Sequence, residues 1–591
     1  MKKIIFFTIV FLLGTSFWAI GQTVSNEHVS ETYKKMPQEK VFVHYNTSLL
    51  LSGEYLYYKV YCLNTKSDSL SNFSKIAYVE LVGVDKVPVF KHKIVLNSGL
   101  GQGDFFIPTT IKSGNYKLIA YTQWMKNLDQ NQFFQSDISI INPFQSNQSS
   151  ILVKNDPILS QNINLDTTKI ENNNIPMGII DNDYIDLSIN TNSFKNREKV
   201  VLNIKSLKGD LSYGNYSISV RKIDTLRIPK NLTASTYMSS YNEISHNSNT
   251  ARTIYLPELR GELLWGTVFN NDTNLPASNT KVAFSIPGEQ PIFKITSTNE
   301  LGVFYFNIYE KYENDYAIIQ VVDNERNNFN IKLSEHLSVN YDSLSFYNFK
   351  MTSRIKDYLL KRSIYNQIEN VYSEIKPNTF ESIDSITPFY NSKAKVYFLD
   401  DYTRFPTIKE TIVEVINEVY IKQKKDNSAF HVKLYNQTFE SDKLPLVLVD
   451  GILIQNHDEL LNSNVKNIEK VSIVSDLILY DSETYEGLIS FETFKGNYQT
   501  NISGSFIKKV SLFKPLGVKK YFNQKYDEDK KSDRIPDFRS QLLWSPNFNL
   551  DKETDSLSFY TSDNSGDFEI CLEGFTNMGK PISIKKIFSV K

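Results

Sequence analysis

The sequence contains seven histidines, the side chains that most often bind metals or transfer protons near neutral pH. No two of them lie at the spacing that places metal ligands on one helix, and the H-E-x-x-H motif is absent. We therefore predict structural hydrogen bonds for these residues, and no metal site. The histidines are His28, His44, His92, His246, His336, His431 and His457.

The two cysteines, Cys62 and Cys571, lie near opposite ends of the chain, and no C-x-x-C motif occurs. This pattern excludes a cysteine-ligated zinc site, an iron–sulfur cluster and a disulfide framework. We predict two buried free thiols.

The sequence also lacks the short motifs of common catalytic and nucleotide sites. It has no G-x-S-x-G nucleophile elbow and no P-loop, and Gly101-Gln102-Gly103 lies between predicted strands without a following helix. Asp400-Asp401 is the clearest acidic pair, but neighbouring side chains on an extended segment point apart. We predict no catalytic residue and no cofactor, so the chain is not expected to be an enzyme.

Composition narrows the class of protein further. The chain has 591 residues, with 65 Lys and Arg against 66 Asp and Glu, and this balance gives no electrostatic reason to expect nucleic acid as a partner. The 35 Tyr and 38 Phe favour strands. These aromatic rings either fill sandwich cores or form stacking platforms for sugars.

The N-terminus has the pattern of a secretory signal peptide. Lys2 and Lys3 precede an apolar run over residues 4–13, and Ala19-Ile20-Gly21 supplies small residues for cleavage. We predict that residues 1–21 are removed and that the mature protein is exported. The run is too short to act as a membrane-spanning anchor.

Elements along the chain predict a mainly β, multidomain protein. Short apolar and aromatic runs, separated by turn residues every eight to twelve positions, are typical of β-sandwiches. Near residue 360, apolar residues recur at three- and four-residue spacing and predict a helix, and Thr407 with Glu410 forms a capping-box pattern that predicts a second helix to about Tyr420. The predicted units are a first sandwich (39–145), a second sandwich (150–225), a loop or insertion (226–255), a third sandwich (256–336), a helical connector (337–405), an α/β module (406–500) and a C-terminal β-sandwich (505–591).

The first unit resembles the macroglobulin-like domains of envelope proteins of the Bacteroidetes type. The resemblance lies in residues 40–44, 52–61, 103–105 and 113–118. It implies an immunoglobulin-like sandwich. The Cys-Glu-Gln thioester segment of the protease-trapping members is absent, so covalent trapping is not implied.

The α/β module resembles the plug domain of TonB-dependent receptors. The matching segments are 445–451, 468–471 and 485–493, but the sequence that follows is too short for a transporter barrel. The resemblance implies docking on an outer-membrane β-barrel protein or complex supplied by a partner. The candidate docking residues are Asp450, Gly451, Tyr485 and Gly487.

The third unit is similar to carboxypeptidase regulatory-like domains, which are non-catalytic sandwiches, over residues 260–268 and 302–306. The whole order resembles Bacteroidetes proteins that join macroglobulin-like and plug-like domains without a barrel. Their C-terminal unit carries patterns like Asp537-Phe538-Arg539 and Trp544-Ser545-Pro546.

Asp followed by Ser or Thr and then a β-branched residue or Leu occurs six times, more often than composition predicts. This resembles the O-glycosylation acceptor pattern of Bacteroidetes export pathways, although Asp-Ser and Asp-Thr are also good turn starters. The candidate acceptors are Ser69, Thr167, Thr225, Ser343, Ser385 and Ser556.

Two functions remain open at this stage. The first is a non-enzymatic scaffold in the periplasm or at the outer membrane, which reaches that membrane through a barrel partner and docks with the plug-like module. The alternative is a glycan- or peptide-binding protein that uses the N-terminal sandwiches.

Overall fold

The computed structural model describes residues 36–128, 130–153, 183–224, 226, 231–241, 255–334, 338–351, 355–381, 388–390, 393–423, 428–435, 443–480, 483–499, 503–526 and 534–591. The predicted signal peptide, residues 1–21, lies outside these ranges. None of the helices in the described part of the chain is long and apolar enough to cross a bilayer.

The first sandwich lies within the predicted range 39–145. It forms because aromatic and β-branched residues alternate between turns, so that Phe42, Tyr58 and Leu118 are fully buried between its sheets. Its sheets have the orders β1-β3-β6 and β2-β8-β7-β4-β5. The strands are β1 (Glu39–Tyr45), β2 (Leu49–Leu51), β3 (Tyr55–Asn64), β4 (Ile76–Gly83), β5 (Pro88–Val95), β6 (Leu100–Phe106), β7 (Gly114–Tyr121) and β8 (Phe134–Ile141).

A short helix interrupts the strands of the next region, inside the range predicted as a loop (226–255). Helix α1 forms because Thr233 and Thr236 cap its first turn reciprocally, with backbone N–H groups donating to the two hydroxyls at 2.9 and 3.1 Å. Tyr237 on this helix packs into the core of the first sandwich. The elements are β9 (Ile185–Ile189), β10 (Ser193–Phe194), β11 (Lys199–Ser206), β12 (Gly214–Lys222), α1 (Ala234–Ser240), β13 (Glu262–Asn270), β14 (Lys281–Ile286), β15 (Ile292–Ser297), β16 (Val303–Ile308), β17 (Tyr316–Val321) and β18 (Phe329–Leu333).

The connector and the α/β module follow. The module contains a five-stranded sheet in the order β20-β25-β28-β23-β24, in which β23 and β28 are parallel. Helices α3 and α4 cover one face of this sheet, and the third sandwich packs against the other. The elements are α2 (Lys356–Val371), β19 (Thr379–Phe380), β20 (Lys395–Phe398), α3 (Ile408–Glu414), β21 (Val419–Gln423), β22 (Ser428–Val432), β23 (Leu446–Val449), β24 (Ile452–Leu453), α4 (Asp458–Leu461), β25 (Ile468–Val474), β26 (Ile478–Tyr480), β27 (Glu483–Tyr485) and β28 (Leu488–Thr493).

Both predicted helices exist, but each differs from the prediction. The Thr407 hydroxyl caps α3 by accepting from the Glu410 N–H at 3.2 Å, yet the helix ends at Glu414 because the β-branched residues beyond it enter the β21–β22 hairpin. The spacing predicts a buried Val371 on α2, whereas that side chain is 75% exposed. Arg362 is buried there instead.

The final segment completes three earlier units. Its elements are β29 (Ile507–Ser511), β30 (Lys519–Lys520), β31 (Gln541–Leu550), β32 (Thr554–Tyr560), β33 (Gly566–Thr576) and β34 (Pro581–Val590). Strand β29 pairs with β17, giving the third sandwich the sheets β16-β13-β18 and β15-β14-β17-β29. Strand β30 pairs with β19 beside the connector.

The sequence predicts two separate domains for the ranges 150–225 and 505–591. The structure instead joins these two ranges, and this is its most consequential difference from the predicted domains. Strand β12 pairs with β31 on one side and with β33 on the other, in the order β10-β34-β33-β12-β31. Strands β32, β11 and β9 form the facing sheet. The two segments therefore build one composite sandwich, because each alone leaves an apolar sheet face and open strand edges.

Candidate functional site

The predicted docking residues Asp450 and Gly451 lie in a buried turn of the module. The Asp450 carboxylate accepts hydrogen bonds from the Thr493 N–H and hydroxyl at 2.7 and 2.6 Å. Both turn residues have positive φ, and a Cβ on Gly451 would come within 2.4 Å of Pro291 in the third sandwich. This turn is therefore used for packing within the chain.

The other two docking residues lie at the opposite end of the same sheet. Gly487 precedes β28, and its carbonyl accepts from the Leu446 N–H at the start of β23. Tyr485 is half-buried beside the third sandwich. The four residues thus do not form one continuous surface, because the length of β23 separates the two pairs.

Three of the six candidate glycosylation residues fall in the described part of the chain. Ser343 and Ser556 are exposed. Ser69 is half-buried, and its backbone nitrogen lies 2.7 Å from where a Cβ on Gly579 would stand. Thr167, Thr225 and Ser385 lie outside the described residues.

Four of the histidines are described, and each makes a hydrogen bond within the chain. His44 and Ser217 approach to 2.6 Å, but burial and the charge of Lys585 lower the His44 pKa to about 3, and Ser217 is sealed from solvent. His92 contacts the Tyr58 hydroxyl, His431 contacts Glu486, and His457 accepts from a backbone N–H. His28, His246 and His336 lie outside the described residues.

Both cysteines are free thiols, as predicted. Cys62 is buried in the first sandwich and Cys571 is half-buried in the composite sandwich. Burial raises the pKa of both thiols, which disfavours the reactive thiolate. Within the described ranges, no group of three metal-ligating side chains comes together.

The candidate site is a cleft of about 280 Å³ where the first sandwich, the composite sandwich and α2 meet. We call it the central cleft. Its walls come from residues 53–57, 366–378, 521–522 and 538–544, together with Arg221. Ligand sites commonly occupy such junctions between units, where several segments supply side chains to one concave surface.

An aromatic row begins in one wall of the central cleft and continues beyond it to Phe106. Trp544 on β31 stacks on Tyr57 at 5.9 Å between ring centroids, and Tyr57 stacks on Tyr55 at 5.5 Å. Tyr55 contacts Phe106 on the adjacent strand β6 at 5.1 Å. The row runs outward, from Trp544 at 5% exposure to Phe106 at 40%. Strand alternation places Tyr55 and Tyr57 on the same side of β3, which is why they line up.

Two donors in the wall have no acceptor among the described residues. These are the indole Nε1 of Trp544 and the Nε of Arg221, both in side chains that are at least nine-tenths buried. Each group can only donate a hydrogen bond, and a buried donor without an acceptor costs about 1–3 kcal/mol. A water or ligand oxygen that reached either nitrogen atom would remove this cost.

A buried ion network closes the inner end of the cleft; we define it as Glu54, Arg221, Asp224 and Arg362. Arg362 on α2 donates to Glu54 at 2.8 Å and to Asp224 at 2.6 Å, while Arg221 on β12 lies 3.3 Å from Glu54. Burial alone would raise the pKa of Glu54, but the two arginines lower it to about 2. The network fixes α2 against both sandwiches.

The remaining acidic groups of the cleft are also paired. Glu369 accepts from Lys376 Nζ and from the Phe538 N–H, both at 2.6 Å. Asp537 accepts two bonds from Arg539 at 2.7 Å, and although burial opposes ionisation, Arg539 keeps the pKa of Asp537 below its usual value. Asp537 therefore does not have the raised pKa expected of a general acid.

The sequence patterns identify some residues of this site, but they do not predict that these residues form a cleft. Asp537-Phe538-Arg539 and Trp544 belong to the patterns of the C-terminal unit, and the structure brings them to the β3 tyrosines. The segment that begins at Lys519 supplies Tyr521 and Phe522 to the cleft. No local signal could place these segments together, because they are hundreds of residues apart.

No protein-family model matches the sequence, and no curated protein matches it at a significant level. Solved structures give weak matches. The α2-macroglobulin of Salmonella reacted with methylamine is 8% identical, with a TM-score of 0.23, covering 93% of this chain and 39% of that chain. The elastase-activated α2-macroglobulin of Escherichia coli is 8% identical, with a TM-score of 0.24, covering 94% and 44%.

A further match, the adhesin InvE of Yersinia pseudotuberculosis, is 8% identical with a TM-score of 0.13, covering 50% of this chain and 57% of that chain. The chain spans about two fifths of the length of the α2-macroglobulins that it matches. Matches at this level carry no functional inference. Strand pairing and the separate sandwich cores define the chain as a mainly β, multidomain protein of immunoglobulin-like sandwiches.

Proposed function

We propose that this chain is a non-enzymatic, exported envelope protein that binds a glycan in the central cleft. The aromatic row Trp544–Tyr57–Tyr55–Phe106 carries this proposal, because it combines apolar ring surface with polar tips along one wall. Sugar hydroxyl oxygens match the unpartnered donors of Trp544 and Arg221. The signal-peptide pattern supports export to the periplasm or the outer membrane.

The paired charges of the cleft support a binding role over a catalytic one. Glycoside hydrolysis requires two carboxyl groups, one of them protonated at working pH. Glu54 and Asp537 instead have lowered pKa values because arginines hold them ionised. Both side chains are held in ion pairs within the chain, so neither of them can protonate a leaving group.

Calorimetry of the full chain with a panel of oligosaccharides tests this function. Saturable binding of at least one sugar is expected. Tyr55→Ala should weaken that binding about tenfold, equivalent to about 1.4 kcal/mol, because it opens the middle of the aromatic row. Tyr435→Ala is the matched control, since this tyrosine is 69% exposed on the α/β module. Equal losses in both variants, or saturable binding only of an extended peptide, would contradict the proposal.

A second candidate function is the scaffold that docks on an outer-membrane β-barrel protein. Strand β20 favours it, because this strand lies at the edge of the module sheet and pairs only with β25 among the described strands. Val396 and Phe398 on β20 are 37% and 49% exposed. An edge strand with exposed apolar side chains can accept a strand from another protein.

Affinity purification from detergent-solubilised outer membranes tests the scaffold function. A β-barrel protein should co-purify in stoichiometric amount with the full chain, and Phe398→Asp should abolish its recovery. Leu275→Asp is the control, because Leu275 is 64% exposed on the third sandwich. Recovery of the chain alone, or unchanged recovery with Phe398→Asp, would count against docking through β20.

A further inference from the structure

A second cavity of about 110 Å³ opens beside the central cleft, and we call it the side pocket. It shares Arg221 and Ser540 with the cleft and extends toward Lys222, Lys361 and Asn564. The two cavities therefore adjoin each other at Arg221 and Ser540. The volume has room for a substituent of a few atoms.

Positive charge in the side pocket exceeds negative charge. The arginines Arg221 and Arg362 are balanced by the two carboxylates of the ion network, Glu54 and Asp224. Two lysines remain without a carboxylate at ion-pair distance in the described part of the chain. Lys222 Nζ donates to the Asn564 side chain and to the Ser565 carbonyl, and Lys361 Nζ lies 5.4 Å from the centroid of the Tyr365 ring.

The two lysine charges also act on each other. Burial lowers the pKa of Lys222, the charge of Lys361 lowers it further, and the charges of Asp224, which also lines the pocket, and of Asp567 oppose the shift. An anion between the two ammonium groups would relieve this repulsion. The unpartnered Nε of Arg221 adds a buried donor at the junction with the cleft.

We propose that the side pocket binds the anionic substituent, a carboxylate or a sulfate ester, of an acidic glycan whose sugar rings lie along the aromatic row. This inference rests on the proposed function, because the glycan must first occupy the central cleft. The lysines then select acidic over neutral sugars, while the aromatic row contributes equally to both.

Two matched pairs of hexasaccharides test the inference by calorimetry with the full chain. One pair is oligogalacturonate and its methyl ester, and the other is a heparin fragment and its desulfated, N-acetylated and carboxyl-reduced form. At least one acidic member should bind ten or more times more tightly than its neutralised counterpart. Lys361→Gln should reduce that preference at least fivefold, because it removes one of the two ammonium groups of the side pocket.

Lys361 is exposed, so its replacement preserves folding. Lys466→Gln is the control, because Lys466 is an exposed lysine of the module, far along the chain from the pocket. Equal binding of both members of each pair overturns the side-pocket inference and leaves the proposed function standing. Binding of neither member of any pair also overturns the side-pocket inference, and the oligosaccharide panel described above then decides the proposed function separately. Inorganic sulfate that binds in a Lys361-dependent way, without preference among the sugars, overturns the glycan source of the anion.

Discussion

Glu54 holds together three parts of the molecule with one carboxylate. It lies in the turn between β2 and β3, accepts two bonds from Arg362 on α2, and faces Arg221 on β12. A buried charge is tolerated only when opposite charges and hydrogen bonds compensate it. Removing one partner leaves the remaining charges buried without compensation, at a large desolvation cost. The structure of the inner end of the cleft therefore depends on the Glu54 carboxylate.

We predict that Glu54→Gln lowers the local stability of α2 by about 3 kcal/mol, because it leaves Arg362 and Arg221 buried with Asp224 as their only carboxylate in the ion network. Amide hydrogen exchange of α2 measures this change. Glu374→Gln, an exposed glutamate just beyond the helix, serves as control and should have no effect.

The pH dependence of that stability follows from the lowered pKa of Glu54. The folded value is about 2, below the ordinary value of 4.5, so the contribution is complete above pH 4.5 and is lost as the pH falls toward 2. In Glu54→Gln this loss should vanish from the same pH window. An unchanged acid profile in the variant would show that other groups control it.

At the scale of elements, α2 acts as a clamp over the turn that contains Gly53. The side chains of Asn366 and Asn370 donate to the Ser52 and Gly53 carbonyls at 2.9 and 3.1 Å. Gly53 has φ of +91°, and a Cβ there would lie 2.5 Å from the amide nitrogen of Asn366. Only glycine allows this turn and this approach together.

We predict that Gly53→Ala costs about 2 kcal/mol, since it combines backbone strain with the loss of both asparagine contacts. Gly209→Ala separates the two effects, because Gly209 has φ of +58° but has nothing within 4 Å of the added Cβ. Thermal unfolding and hydrogen exchange of α2 give the comparison. Equal losses in both variants would mean that the clamp contributes little.

The spacing of apolar residues predicted α2 itself but not its buried face. Helical periodicity is a local property, and it correctly indicates a helix near residue 360. Arg362 is buried because Glu54 and Asp224 approach it from two other units, and no local pattern contains that information. For the same reason the helical spacing does not predict that Val371, although apolar, is exposed to solvent.

At the scale of the whole molecule, the composite sandwich joins distant parts of the chain. Val220 on β12 and Gln541 on β31 are 321 positions apart, yet a hydrogen bond joins them. The sequence indicated strands in both segments, but alternation along a strand specifies which face is buried and not which strand is its neighbour. The aromatic row could not be predicted for that reason, since Trp544 and Tyr57 come together only when β31 pairs with β12.

We predict that deleting residues 541–591 unfolds the segment of β9–β12, because β12 loses both neighbours and the facing sheet loses β32. Amides of β12 should then exchange at the rate of an unfolded chain, while those of β13–β18 in the third sandwich stay protected. A fragment of residues 22–336 should show the same loss and should not bind the cleft ligand. Protected β12 amides in either form would contradict the composite sandwich.

The composite sandwich also sets the order in which the protein can mature. Synthesis proceeds from the N-terminus, so strands β9–β12 leave the ribosome long before β31–β34 and lack these strand partners in the interval. Closing a loop of this length costs about 5 kcal/mol of chain entropy, which only the completed sandwich repays. In that interval the edges of β12 can pair with other chains, until β31 and β33 have been translated. A stop codon just before residue 541 would therefore prevent β9–β12 from folding, although these strands are themselves fully translated.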